Sequence, residues 1–226
     1  VFAQTADWSY ADNGTGEDDW ENMQGYHACS GLNQSPVTIS FTKVAPLPDL
    51  QFGYKPANAT ISTDKKSYVV SLANAGTLTD NGKIYTLKSI EIHTPSEHMI
   101  RAAYYPVEFH LLHESPTGEQ LIVAIFADIG AENIGLTQLL AHSPKDNAPA
   151  AAFTFDPMIL LPAQRGYYAY AGSLTHPPCT EGVAWRILKT PATMLPSQLT
   201  LFNRYVGRNA RLTQPLYMRE VTETQH

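Results

Sequence analysis

Two short stretches of this 226-residue chain carry side chains that could do chemistry together. In Ser89-Ile90-Glu91-Ile92-His93, strand alternation puts Ser89, Glu91 and His93 on one face and turns Ile90 and Ile92 to the other. Val107-Glu108-Phe109-His110-Leu111 repeats the pattern, pairing Glu108 with His110 against three apolar neighbours. If the two strands are adjacent, Glu91, His93, Glu108 and His110 converge, and imidazole with carboxylate is a donor set that divalent metals take. The solvated face of a one-sided antiparallel sheet would explain polarity alone, but it has no preference for histidine. The connecting turn, His93-Thr94-Pro95-Ser96-Glu97-His98, brings a further carboxylate and imidazole into the same few residues, a crowding that is costly unless used. His113 has the opposite parity to His110 and is expected to donate a hydrogen bond inside the core.

Chemistry of this kind needs rigid strands beneath it. Alternating or β-branched runs predict strands at 37–42, 68–72, 83–87, 89–94, 107–113, 121–127, 167–172 and 183–188. Helices are expected at only two places, 131–142 and 197–205, the second with Ser197 as its N-cap. Sixteen prolines and 14 glycines break the chain into short pieces. The spaces between strands are too small for a helix after each one, so the expected fold is mainly β and mostly antiparallel, in a single domain over residues 1–226.

Lys+Arg number 15 against 21 Asp+Glu, a net charge of −6. No basic cluster is present to neutralise phosphates, which argues against a nucleic-acid partner. With 43% hydrophobic and 16% charged residues, the chain can bury a core. No run approaches the roughly 18 apolar residues of a transmembrane helix, so no transmembrane segment is expected. Val1-Phe2-Ala3 resembles the end of a secretory signal cut after Ala3. Cys29 and Cys179 stand 150 positions apart, outside any CxxC spacing; they are either a disulfide of an exported chain or two buried thiols. His27, His142 and His226 read as surface groups without partners. Oligomeric state is not legible.

At the motifs above the sequence resembles the α-class carbonic anhydrases, zinc enzymes that interconvert carbon dioxide and bicarbonate. The resemblance runs nearly end to end. It includes Trp8-Ser9-Tyr10, Trp20, Gln34-Ser35-Pro36, the segment His93 to His98, Glu108-Phe109-His110-Leu111-Leu112-His113, Ser173-Leu174-Thr175-His176-Pro177-Pro178, Trp185, Asn209-Ala210-Arg211 and Gln214-Pro215-Leu216. It implies a large, mostly antiparallel, twisted central sheet with a few short surface helices. By position, His93 and His110 match two zinc-binding histidines, while Glu91 stands where the family pattern has the third. Glu108 matches a carboxylate that orients a ligand imidazole, with Ser89 placed beside the ligands. Thr175 matches the hydroxyl that orients zinc-bound hydroxide, and Glu97 the carboxylate that accepts the threonine's proton. Ile122, Leu112, Leu174 and Trp185 match the apolar wall against which carbon dioxide rests. Lys66, within Thr63 to Ser67, occupies the proton-shuttle position; lysine, with a reference pKa near 10.4, shuttles poorly at neutral pH. His176 is a candidate substitute at the pocket mouth, or an ordinary loop residue. The resemblance also implies a Cys29–Cys179 disulfide and a secreted or periplasmic location.

Exchanging a neutral imidazole for Glu91 lowers the charge of a zinc site from +2 to +1, which disfavours hydroxide and predicts weak or alkaline-shifted hydration of carbon dioxide. A Glu-His-His set also suits hydrolytic zinc or ferrous iron. The alternative is a catalytically silent relative, with a weak metal site or none, that uses the same scaffold for binding.

Overall fold

The computed structural model describes residues 7–64, 66–144 and 151–225. Val1-Phe2-Ala3, Lys65 and His226 therefore lie outside the described residues. The strands of the first half are β1 (Thr38–Ile39), β2 (Lys43–Val44), β3 (Gln51–Tyr54), β4 (Ala57–Thr63), β5 (Tyr68–Ala73), β6 (Gly76–Asp80), β7 (Lys83–His93) and β8 (Met99–Ile100). Those that follow are β9 (Val107–Glu114), β10 (Gln120–Ile129), β11 (Phe153–Phe155), β12 (Tyr167–Ser173), β13 (Glu181–Leu188), β14 (Ala192–Met194) and β15 (Thr222–Glu223), with helices α1 (Ile134–Ala141) and α2 (Pro196–Phe202).

Thirteen strands form one sheet whose main path runs β11-β4-β5-β7-β9-β10-β13-β12-β15-β2. Most neighbours are antiparallel, as expected, but β10 lies parallel to β13 and β14, and β15 parallel to β2. Strands β9 and β10 occupy the middle and are covered on both faces, so β10 reads as a continuous apolar run. Its Leu121, Val123 and Ile125 face one core, beneath α1 and α2, while Ile122, Ala124 and Phe126 face a second. A third cluster, Trp20, Tyr26, Cys29 and Cys179 with Trp8 and Tyr10 packed against it, surrounds the Cys29–Cys179 disulfide.

Several boundaries differ from the sequence reading. The two strands expected at 83–87 and 89–94 are one strand, β7, with a register shift between Leu87 and Ser89. Burial there moves from Tyr85 and Leu87 to Ile90 and Ile92. A bulge inserts one residue and changes the parity, which looks like a break in the sequence. Its consequence is that Glu91 and His93 turn away from the Ile90/Ile92 core. Of the strand expected at 37–42 only β1, Thr38–Ile39, forms; β2 begins just beyond it and belongs to a different sheet. Ser197 is not an N-cap: α2 begins at Pro196 after Leu195, and the Leu195 N–H is satisfied by Gln198 Oε1 at 2.9 Å. Proline suits that first position because it has no N–H to leave unsatisfied. Helix α1 starts at Ile134, three residues later than expected, where Asn133 Oδ1 accepts from Leu136 N at 2.9 Å.

Candidate active site

The pairing of β7 with β9 sets Glu91 opposite His110 and His93 opposite Glu108. Directly opposed residues on one face of an antiparallel pair bring their side chains together. One donor atom from each of Glu91, His93 and His110 lies within 4.8 Å of the other two. The two imidazoles are buried, and the Glu91 side chain is 17% exposed toward a cleft.

Hydrogen bonds fix which ring nitrogens face this point. His93 Nδ1 donates to the Asn209 carbonyl at 2.8 Å, so its Nε2 carries the lone pair, and that atom is buried without a hydrogen-bond partner. His110 Nε2 donates to Glu108 Oε1 at 2.9 Å, which leaves Nδ1 as the lone-pair atom. Asn209 is itself held, its Oδ1 accepting from Thr94 N and its Nδ2 donating to the Ile92 carbonyl. An orphaned buried imidazole nitrogen, a second imidazole of fixed tautomer and a carboxylate fit a zinc-type cation.

Glu108 is fully buried and anchors the turn as well as His110. Its Oε1 also accepts from His98 Nδ1 at 2.7 Å, while Oε2 accepts from the backbone N–H of Glu97 and of His98. Burial opposes its charge, but the facing imidazoles and their hydrogen bonds hold its carboxyl well below the usual range. His98 Nε2 meets Tyr170 Oη at 2.7 Å, and Tyr170 in turn bonds Ser35. Of His98, Glu108 and His110, which also bring donor atoms within 4.8 Å of one another, Glu108 thus has both carboxylate oxygens engaged by internal hydrogen bonds.

Glu97 behaves differently. Its burial raises the pKa to about 7 against the pull of His110, of the Arg211 N–H bonded to Oε1 and of the neighbouring Thr175 side chain. Its Oε2 has no hydrogen-bond partner and stands 3.7 Å from His110 Nδ1. Thr175 is buried beside it. Leu112, Ile122 and Leu174 pack in one apolar cluster with Trp185, and the first three line a neighbouring cleft together with Ser89. Among the described residues no side-chain hydrogen bond joins Ser89 to the three donors.

The cleft above the donors, about 270 Å³, is lined by Trp8, Tyr10, Lys66, Glu91, His93 and His176 among others. Lys66 Nζ pairs with Asp7 at 2.6 Å and donates to the Trp8 carbonyl at 2.9 Å. His176 stacks on the Trp8 ring, donates from Nδ1 to the Pro177 carbonyl at 3.0 Å, and sets Nε2 3.4 Å from Glu91 Oε2. Burial works against charge on either group of this pair. Their mutual attraction wins, lowering the Glu91 pKa to about 2 and raising that of His176 to about 9. Burial lowers the pKa of His93 despite Glu91 nearby.

His113 lies in the core as its parity requires, bonded to Tyr54 Oη at 2.6 Å and to the Leu121 carbonyl at 3.2 Å. His27 and His142 are exposed but not partnerless, since each Nδ1 meets a backbone carbonyl at 2.8 Å. The sequence reading gave no role to Asn209, Arg211, Trp8 or Tyr170, although all but Tyr170 lie in the motifs it singled out.

The fold is mainly β, and its central sheet carries a candidate metal site of three donor groups, two of them buried imidazoles. A sequence model of the eukaryotic-type carbonic anhydrase family matches residues 15–225, and the chain belongs to that family, the α-class, whose enzymes are lyases. A carbonic anhydrase of Neisseria gonorrhoeae is 38% identical, the match covering 96% of this chain and 87% of that protein. The α-carbonic anhydrase of Thermovibrio ammonificans in complex with sulfanilamide superposes with a TM-score of 0.91 at 33% identity, covering 96% of this chain and 99% of that one. Dioscorin complexed with ascorbate has a TM-score of 0.87 at 31% identity, covering 96% and 98%. Among the described residues no helix is long and apolar enough to cross a membrane.

Proposed function

We propose that this protein hydrates carbon dioxide to bicarbonate with zinc held by Glu91, His93 and His110, in a secreted or periplasmic compartment that preserves the Cys29–Cys179 disulfide. The observation that carries the reading is the pair of lone-pair nitrogens, His93 Nε2 and His110 Nδ1, on rings fixed by Asn209 and Glu108 and grouped with Glu91 so that one donor atom from each residue lies within 4.8 Å of the others. Bound zinc supplies Lewis acidity, bringing the pKa of its water to about 7 when all protein ligands are neutral. Glu91 adds a negative charge to the donors and so raises the pH at which the reacting water loses its proton. Each unit of that rise removes about tenfold of the nucleophile at neutral pH.

In this reading the Thr175 hydroxyl would orient the reacting oxygen, accepting its hydrogen bond and donating its own proton to Glu97, whose Oε2 is buried without a hydrogen-bond partner. Leu112, Ile122, Leu174 and Trp185 offer carbon dioxide an apolar resting place that excludes water. In this reading His176, which lines the cleft, passes protons outward, and Lys66 is tied to Asp7. A second reading, a catalytically silent binding protein, is favoured by the engagement of Glu91 with His176. Metal analysis of purified protein with a hydration assay from about pH 7 to 10 separates them. Stoichiometric zinc and a rate that climbs with pH are expected; no zinc uptake refutes the enzymatic reading.

A further inference from the structure

The Glu91 carboxylate sits between two imidazoles. Its Oε2 is 3.9 Å from His93 Nε2, on the donor side, and 3.4 Å from His176 Nε2, on the cleft side. A glutamate has two more rotatable bonds than its strand position can fix, and this one is not fully buried, so something must choose its rotamer. His176 is built to do so. Its own ring is pinned twice, by the Nδ1 hydrogen bond to the Pro177 carbonyl and by near-parallel stacking on Trp8, with an interplanar angle of 4°. Trp8 is in turn held edge-on by Trp20 and Tyr10 and capped by Lys66 Nζ at 4.7 Å from the ring centroid. The pinned ring points Nε2 at Glu91 Oε2.

We infer that His176 is a positioning residue for Glu91, holding its carboxylate in the donor position of the metal site. The inference rests on the zinc reading above. It gives this chain an arrangement matching that of the other two donors: Asn209 fixes His93, Glu108 fixes His110, and His176 fixes Glu91. Outer partners of this kind typically change metal affinity by about 10- to 100-fold when removed. The opposite outcome is equally definite, because a residue that drew Glu91 away from the metal would weaken binding, and its removal would strengthen it.

The experiment is a zinc titration of metal-stripped full-length protein against a competing chelator, in wild type, His176→Ala, His176→Gln, and Glu91→His with and without His176→Ala. His176→Ala is expected to weaken zinc binding about 10- to 100-fold. His176→Gln, whose amide N–H can still donate to the carboxylate, should recover most of that loss. In the Glu91→His background, removing His176 should leave zinc affinity unchanged, because the group it positions is gone. A general structural role would produce the same loss in both backgrounds. Unchanged or tighter zinc binding by His176→Ala, with wild type loading normally, overturns this inference and leaves the proposed function standing. Failure of wild type to bind zinc at all overturns both, and is visible in the first titration.

Discussion

Glu108→Gln is the substitution for which the structure gives the sharpest expectation. The native carboxylate is fully buried and accepts four hydrogen bonds: His98 Nδ1 and His110 Nε2 on Oε1, and the N–H groups of Glu97 and His98 on Oε2. Glutamine keeps the shape but has one acceptor oxygen and one NH₂ group. Whichever way the amide turns, two of the four donors then face a donor. At about 1–3 kcal/mol for each of the two buried groups left unsatisfied, the loss comes to about 2–6 kcal/mol. That is a large part of the roughly 5–15 kcal/mol by which domains are stable, so the variant should fold but unfold early. Equilibrium urea unfolding of metal-stripped protein with its disulfide intact measures this directly. If the NH₂ group faces His110, that ring must take the other tautomer to accept from it. A proton then sits on Nδ1, so zinc affinity should also fall by about 10- to 100-fold. A stability loss under about 1 kcal/mol would refute the four-acceptor account of Glu108.

Three further expectations follow from other parts of the molecule. Glu91→His should raise zinc-dependent hydration at neutral pH about tenfold or more and move the midpoint of its pH profile to lower pH, as read by stopped-flow assay; an unchanged midpoint would show that the Glu91 charge is not limiting. Burial lowers the His113 pKa from 6.5 to about 4, so the unfolded chain binds this proton first as pH falls. The stability His113 contributes is complete above about pH 6.5 and lost down to about pH 4, roughly 3 kcal/mol in all, and urea unfolding at pH 7.5 and 4.5 in wild type and His113→Gln should show the smaller acid loss in the variant. Replacing both Cys29 and Cys179 by Ala opens a 150-residue loop, for which chain entropy gives up to about 5 kcal/mol of lost stability, measurable as a lower urea midpoint.

What could be read from the sequence followed the strength of each local pattern. In β9 and β10 most of the apolar residues are large or β-branched, and both strands were expected within two residues of their observed ends. In β4, Ala57, Ala59 and Ile61 alternate with Asn58, Thr60 and Ser62, so the period is present, but small and polar residues of weak strand preference obscure it. The residue inserted near Lys88 hid the continuity of β7 for a different reason: a bulge changes the face without leaving a composition signal. At the site, alternation alone placed Glu91, His93, Glu108 and His110 together, since that needs only two adjacent strands. It could not supply Asn209 or His176, which reach the site from loops more than 60 residues further along the chain.

The distribution of these supports indicates how confined the glutamate exchange is. His93 takes its orientation from Asn209, and His110 from Glu108, neither of which hydrogen-bonds to Glu91. Glu97 is held by the Arg211 N–H, and Arg211 by Gln34 and the Ser35 carbonyl. None of these bonds needs a carboxylate at position 91. The residues that do respond to it, His176 and through it Trp8, lie on the cleft side. A single Glu91→His substitution should therefore meet two imidazoles already held in the tautomers that the proposed metal site needs. Only the cleft wall would need to adjust, as His176 lost its carboxylate partner.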